Sequence, residues 1–173
     1  MSRWKRAIAE HRAVVAEAAT VIESISPDLW PRPLGPDRWT FAAMSLHIGQ
    51  AYEFGRNAAL YGEEMRLRVP PLAAWIARYT VLPISLATKR FPRGARAPRE
   101  VRPDEAFALT LTPTECAARL LVRADEAVGA LHAADSSLRV QHAYFGPLPA
   151  LTALRVLSAH TRHHVAGIRT ASS

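Results

Sequence analysis

Three histidines near the C-terminal end of the chain have the residue type and spacing of metal ligands. They are His160, His163 and His164, within the segment AHTRHHVAGI. On an α-helix, His160 and His164 lie one turn apart, so both imidazoles project from one face with Cβ atoms roughly 6 Å apart. The same geometry also allows His160 and His163 to act as a pair. This spacing predicts either two ligands of one divalent metal ion or two core histidines that each make one hydrogen bond.

His47 favours the metal interpretation, because it lies on the apolar stripe of another predicted helix, between Met44 and Phe54. Helical bundles assemble metal sites from side chains on facing helices. Three buried imidazoles without a shared partner would cost of order 1 to 3 kcal/mol for each unsatisfied group. A divalent cation removes that cost, and imidazole nitrogens suit zinc, nickel and iron alike.

The remaining histidines and the single cysteine have simpler interpretations. His11 lies on the apolar stripe of the first helix and is either a core or a surface residue. His132 ends the third long helix, where the helix dipole favours it, and His142 lies in a turn-rich link with no assigned role. Cys116 is expected to be a small apolar filler rather than a nucleophile. One cysteine allows no intrachain disulfide, which fits a reducing compartment.

Four long amphipathic helices account for most of the sequence. Hydrophobic periodicity, the Thr40 cap, the capping box at Thr112 and the helix-starting Pro149 define them. Residues 61–111 form a long crossover that carries one or two short helices and then an extended surface connection, FPRGARAPREVRP. No strand is predicted. The expected fold class is all-α, a four-helix bundle that forms a single domain over residues 1–173.

The composition is basic, with 22 lysines and arginines against 15 acidic residues and a net charge of +7. This charge favours anionic ligands. No recognition-helix motif is present, so no nucleic acid is expected as a partner. The N-terminus lacks a signal peptide and no segment is long and apolar enough for a bilayer, so a cytoplasmic protein without a membrane partner is expected.

A basic run lies on the crossover. It is either a solvated linker or a site that captures an anionic cofactor or substrate. Its members are Lys89, Arg90, Arg93, Arg96, Arg99 and Arg102.

Several of these segments resemble one protein family. WTFAAMSLHIGQAYEF resembles the second helix of the DinB-like (YfiT-like) superfamily, and AHTRHHVAGI resembles the closing motif of that superfamily. KRFPRGARAPREVRP and HAYFGPL are similar to the DUF1569-type subgroup. The resemblance implies a four-helix bundle, often a homodimer, with one divalent metal ion on His47, His160 and His164. His163 then matches the variable neighbour of the last ligand.

The resemblance also implies an activity, since characterised relatives act on low-molecular-weight thiols or thiol adducts as transferases or isomerases. Three protein ligands leave one coordination position for a substrate. A thiol there would be deprotonated, whereas a water there would be activated for hydrolysis. We therefore expect a metal-dependent S-transferase or isomerase with a low-molecular-weight thiol cosubstrate and a small, anionic substrate. The alternatives are a metal-dependent hydrolase, a metal-stabilised binding module without catalysis, and a basic nucleic-acid-associated protein.

Overall fold

Four long helices form the body of the protein. The computed structural model describes residues 2–65, 69–92 and 96–172. The long helices are α1 (Arg3–Glu23), α2 (Phe41–Tyr61), α6 (Pro113–Ala133) and α7 (Ala150–Ser172). Helices α1 and α2 each pack against both α6 and α7, which closes the bundle around a common core. The predicted all-α four-helix bundle is confirmed.

Local capping interactions fix where the helices begin. The Thr40 side chain accepts a hydrogen bond from the Ala43 amide at 3.1 Å, so α2 begins after Thr40 as predicted. At the start of α6, the Thr112 hydroxyl accepts from the Glu115 amide at 3.2 Å. The Glu115 carboxylate in turn accepts from the Thr112 amide at 2.8 Å, which completes the predicted capping box. These caps set the axial positions of the two helices that follow them.

A buried hydrogen bond joins α2 to α7. Tyr52 is fully buried, and its hydroxyl lies 2.6 Å from the Thr161 hydroxyl. Because the Thr161 hydroxyl donates to the Leu157 carbonyl at 2.9 Å, it accepts the Tyr52 proton. Burial raises the pKa of Tyr52 above its ordinary value, so the phenol keeps that proton. The bond fixes the register of α7 against α2 next to His160.

The crossover between α2 and α6 contains short helices, as predicted. They are α3 (Pro71–Ile76), a π-helical turn (Ala77–Val81), α4 (Leu82–Thr88), a 3-10 turn (Arg99–Val101) and α5 (Glu105–Thr110). The prediction of an extended surface connection is wrong at its C-terminal part, because Val101 is only 3% exposed. Val101 packs in the apolar cluster that also contains Phe145 and Leu154. A segment rich in proline and arginine therefore enters the core through one valine.

The link before α7 is a β-hairpin, although no strand was predicted. Strand β1 (Arg139–His142) pairs with β2 (Gly146–Pro149) in antiparallel orientation. Val140 lies opposite Leu148, and both side chains are buried. Gly146 has a φ of +65°, which glycine adopts without strain and which closes the short loop. Strands of four residues, one of them with two prolines, carry little pattern of their own, and their pairing depends on the buried residues on which they pack.

Among the helices of the described ranges, none has the length and apolar character needed to cross a membrane.

Candidate metal centre

Three imidazole nitrogens converge at the contact between α2 and α7. The Nε2 atom of His160 lies 3.1 Å from Nε2 of His47 and 3.0 Å from Nε2 of His164. The three potential ligand atoms all lie within 4.8 Å of one another. His47 comes from the middle of α2, whereas His160 and His164 lie one turn apart on α7. The structure therefore brings together the three histidines that the sequence predicted as a set.

The crossover fixes the orientation of His47. Its Nδ1–H donates to the carbonyl oxygen of Val101 at 2.6 Å. This bond leaves the Nε2 lone pair as the acceptor that faces the other two histidines. A backbone carbonyl behind the distal ring nitrogen is the usual support for a metal-ligating histidine. The buried Val101 thus sets the tautomer of the first candidate ligand.

All three imidazoles are uncharged at neutral pH. Burial lowers the pKa of His47 to about 4, against the hydrogen bond to Val101, which raises it. Burial also holds the pKa of His160 and of His164 well below the ordinary value, and the neighbouring imidazoles lower both further. Neutral imidazole is the form that coordinates a metal ion. The protein therefore presents three ligands in the required protonation state.

The geometry of the cluster fits a divalent cation. One nitrogen carries at most one proton, so Nε2 of His160 cannot form a good two-centre hydrogen bond to both neighbours. Zinc bonds to imidazole nitrogen at about 2.0 to 2.1 Å, which puts tetrahedral ligand atoms about 3.4 Å apart. The observed separations of 3.0 and 3.1 Å are a few tenths of an ångström shorter. A cation at the centre would turn mutually facing lone pairs into ligands.

One ring nitrogen of the cluster departs from the usual pattern. Nδ1 of His160 is buried and has no hydrogen-bond partner within the described part of the chain. A buried polar atom without a partner is destabilising. Nδ1 of His160 thus lacks the kind of hydrogen bond that the Val101 carbonyl accepts from His47.

The centre lies at the edge of the core rather than in its middle. His47 is 3% exposed, whereas His160 and His164 are only partly buried. The indole ring of Trp39 packs against the His47 ring, with centroids 4.9 Å apart. Arg38, the residue before it, is close enough for its charge to contribute to the lowered pKa of His164. The exposed part of the cluster therefore lies on α7.

The other histidines stay outside the triangle of Nε2 atoms. His163, the alternative partner of His160, instead packs its ring against Phe91 and His164. His11 is buried, and its Nδ1 lies 3.0 Å from the Ser158 hydroxyl, so it is a core histidine. His132 is in the last turn of α6 and contacts Trp4.

The sequence did not assign a role to His142, which is the last residue of β1. The structure stacks its ring on that of Phe145, with centroids 4.5 Å apart. The signal that could have found this contact is the pair of aromatic residues that directly follows His142 and Ala143.

Cys116 is 3% exposed and belongs to the main apolar cluster. Burial raises the pKa of its thiol to about 11, against the charges of Arg123 and Arg119, which lower it. A thiol with this pKa is almost entirely protonated at neutral pH and is a poor nucleophile. The predicted role as an apolar filler agrees with this environment.

The basic run on the crossover is partly neutralised. Lys89 forms an ion pair with Glu10, and Arg93 lies outside the described residues. A cleft of about 1040 Å³ is bordered by three arginines of the run, but also by three glutamates. Its charged lining residues are Arg96, Arg99, Arg102, Glu63, Glu64 and Glu100. This balance weakens the interpretation of the run as an anion site, and none of the three clustered histidines lines the cleft.

Comparison with known proteins identifies a family over nearly the whole chain. The family model described as DinB superfamily matches residues 7–168, a range that includes all of α2 and α6, most of α1 and α7, and the three clustered histidines. The DUF1569-type subgroup is not distinguished by this match. No curated protein and no solved structure matches the chain significantly.

Metal binding tests the cluster directly. We expect the untagged protein to bind about one zinc ion per chain, and His47→Ala and His160→Ala to lose this tight binding, because two imidazoles bind far more weakly than three. Elemental analysis after dialysis measures the ratio of metal to protein. His163→Ala is the matched control, since it removes a neighbouring histidine outside the triangle and should keep one zinc ion. Equal metal content in all four proteins would contradict the assignment.

The buried histidines predict an acid-sensitive stability of the metal-free protein. Burial lowers the pKa of His11, His47 and His142 from 6.5 to about 4. The unfolded chain therefore binds more protons than the folded chain below pH 6.5, and the free energy of unfolding falls as the pH drops from 6.5 towards 4. Each such histidine contributes a slope of at most about 1.4 kcal/mol per pH unit.

Urea unfolding between pH 8 and pH 4.5 measures this slope. His11→Gln should reduce the slope of the metal-free protein by about one histidine's share. The same variant should still bind as much zinc as the wild type, because His11 lies outside the triangle. A free energy of unfolding that stays constant between pH 7 and pH 5 would show that the histidines are not buried in the neutral form.

Proposed function

The chain belongs to the DinB superfamily, and we propose that it is a metal-dependent enzyme that acts on a low-molecular-weight thiol or thiol adduct, by S-transfer or isomerisation. The observation that carries this proposal is the triangle of neutral Nε2 atoms of His47, His160 and His164. Three protein ligands are the number found in catalytic zinc sites, in which the fourth position is left for water or substrate. The cofactor would be one divalent ion, and an all-imidazole set suits zinc, nickel or iron.

The residues around the cluster support a catalytic rather than a purely structural centre. A structural zinc site is usually closed by four protein ligands, often cysteines. The cluster has three histidines, and the only cysteine of the chain, Cys116, is buried in the apolar core among residues of α6. Partial exposure of His160 and His164 gives a substrate access from the α7 side.

A bound divalent ion would supply the positive charge that stabilises a thiolate at neutral pH. The protein's own contribution is to hold three neutral imidazoles in fixed orientations. The Val101 carbonyl holds the ring of His47, and the Tyr52 to Thr161 hydrogen bond holds α7 in register. Trp39 shields one face of His47 from water. These contacts keep the site pre-organised, so little reorganisation accompanies the reaction.

In the proposed transfer, one bond to sulfur forms and one bond to the leaving group breaks. The thiol releases its proton to solvent, and the sulfur lone pair forms a bond to an electrophilic carbon of a second small molecule. The leaving group departs from that carbon with the electron pair of the broken bond. Isomerisation of an adduct would begin with the same attack by sulfur and end with expulsion of the thiolate.

Thiol consumption by the zinc-loaded protein tests the proposal. We expect a screen of small thiols against a fluorogenic haloalkyl or bimane electrophile to give turnover that requires the metal, because the bound thiol would react as thiolate. His160→Ala should reduce the rate at least about a hundredfold, as expected when a metal-centred step is lost. His132→Ala is the matched control: His132 lies in the last turn of α6 and outside the triangle, so this variant should keep the full rate.

Two outcomes would contradict the proposal. Equal rates with and without metal would exclude a metal-dependent transferase. Hydrolysis of esters or amides by the zinc-loaded protein without any effect of thiols would instead support the hydrolase.

We further propose that the chain forms a single domain, as expected from the sequence. We also propose that two copies of this domain associate into a homodimer. An exposed apolar stripe supports the dimer: Leu72, Trp75, Ile76 and Tyr79 follow the spacing of one helical face, and Trp75 and Tyr79 are 60% and 61% exposed. Contiguous apolar surface of this kind marks interaction sites.

The mass of the protein in solution tests the proposed homodimer. Trp75→Glu should convert a dimer to a monomer in light scattering after size exclusion, because a buried charge without a partner destabilises an interface. Leu121→Glu is the matched control, because Leu121 is an exposed apolar residue of α6, at 44% exposure, outside the stripe. A monomeric wild-type protein at high concentration would contradict the dimer.

A further inference from the structure

The hairpin that carries His142 packs against the two helices of the three-histidine cluster. His142 ends β1 and pairs with Gly146, directly before the loop that joins the two strands. Strand β1 contacts both α2 and α7, the two helices that carry the clustered histidines. The charge of a protonated His142 would reach His160, since it contributes to the lowered pKa of that residue. The hairpin therefore packs against the elements that carry the three-histidine cluster.

The loop after β1 fixes the tautomer of His142. Its Nδ1 accepts the backbone N–H groups of Tyr144 at 3.2 Å and of Phe145 at 3.4 Å. An Nδ1 that accepts hydrogen bonds carries no proton, so the proton of the neutral ring lies on Nε2. Within the described ranges, no residue accepts a hydrogen bond from this Nε2–H.

Aromatic packing fixes the plane of the same ring. The His142 ring stacks on Phe145, with centroids 4.5 Å apart and planes inclined by 20°. Phe145 is 4% exposed and so gives a rigid support. A chain of ring contacts continues from Phe145 to Phe91 at 6.1 Å and from Phe91 to His163 at 6.2 Å. The donor is thus held in both tautomer and orientation, on an aromatic wall that extends from the hairpin to α7.

We infer that the Nε2–H of His142 donates a hydrogen bond to a carboxylate oxygen of the thiol that binds at the three-histidine centre, which makes carboxylate-bearing small thiols the substrate class. The inference rests on the proposed function. A pre-oriented donor without a protein acceptor gains most from an acceptor oxygen on the ligand, and a charged acceptor strengthens that bond. The charge of Arg38, which acts on His164, and the net charge of +7 favour an anionic ligand at the three-histidine centre.

A pair of thiols with and without the carboxylate separates this role from metal binding. The probes are 3-mercaptopropionate and 1-propanethiol, titrated into cobalt-loaded protein, where a thiolate ligand changes the visible absorption of the metal. His142→Phe keeps a ring that stacks on Phe145 but has no N–H. His142→Gln places an amide N–H near the position of Nε2. Metal content and melting temperature, measured for each variant, verify that both remain folded and loaded.

We expect His142→Phe to weaken 3-mercaptopropionate binding about tenfold or more, the loss typical of a hydrogen bond to a charged group, and to leave 1-propanethiol within about twofold. His142→Gln should recover binding of 3-mercaptopropionate to within about threefold of the wild type. An unchanged ratio between the two thiols in His142→Phe would overturn the inference and leave the proposed function intact. If neither thiol alters the spectrum of the wild-type protein, the proposed function fails and the inference falls with it.

Discussion

The convergence of three neutral imidazoles at the contact of α2 and α7 is the constraint around which the site is built. Burial lowers the pKa of all three rings and keeps them uncharged, and the Nε2 atoms of His47 and His164 lie 3.1 and 3.0 Å from Nε2 of His160. At most one of these two contacts can be a well-formed hydrogen bond, because Nε2 of His160 carries at most one proton. The bundle therefore holds three imidazoles in an arrangement that is compatible with a divalent metal ion.

The crossover has a structural role that its composition conceals. Its polar, proline-rich stretch inserts Val101 into the core, and the Val101 carbonyl accepts the Nδ1–H of His47. This contact spans 54 residues of sequence. Because the carbonyl selects the tautomer, a segment outside the four long helices decides which nitrogen of His47 faces the centre.

The hairpin orients a further imidazole, that of His142, in a similar way. Two backbone N–H groups of its loop donate hydrogen bonds to Nδ1 of His142, and the ring of Phe145 stacks on the imidazole. The crossover thus orients the imidazole of His47, and the loop of the hairpin orients that of His142. The regular elements bring the side chains together, while the connections determine protonation and direction.

The sequence by itself determined the four long helices, their caps at Thr40 and Thr112, and the candidate set of His47, His160 and His164. These features depend on local periodicity, on capping chemistry and on a resemblance carried by short motifs, all of which are contained in neighbouring residues. Only the tertiary structure decided that His163 stays outside the triangle, that Val101 is buried, and that residues 139–149 form a hairpin. Each of these outcomes depends on contacts between segments far apart in the chain, and a strand of four residues or a single buried carbonyl leaves no periodic signal in the sequence.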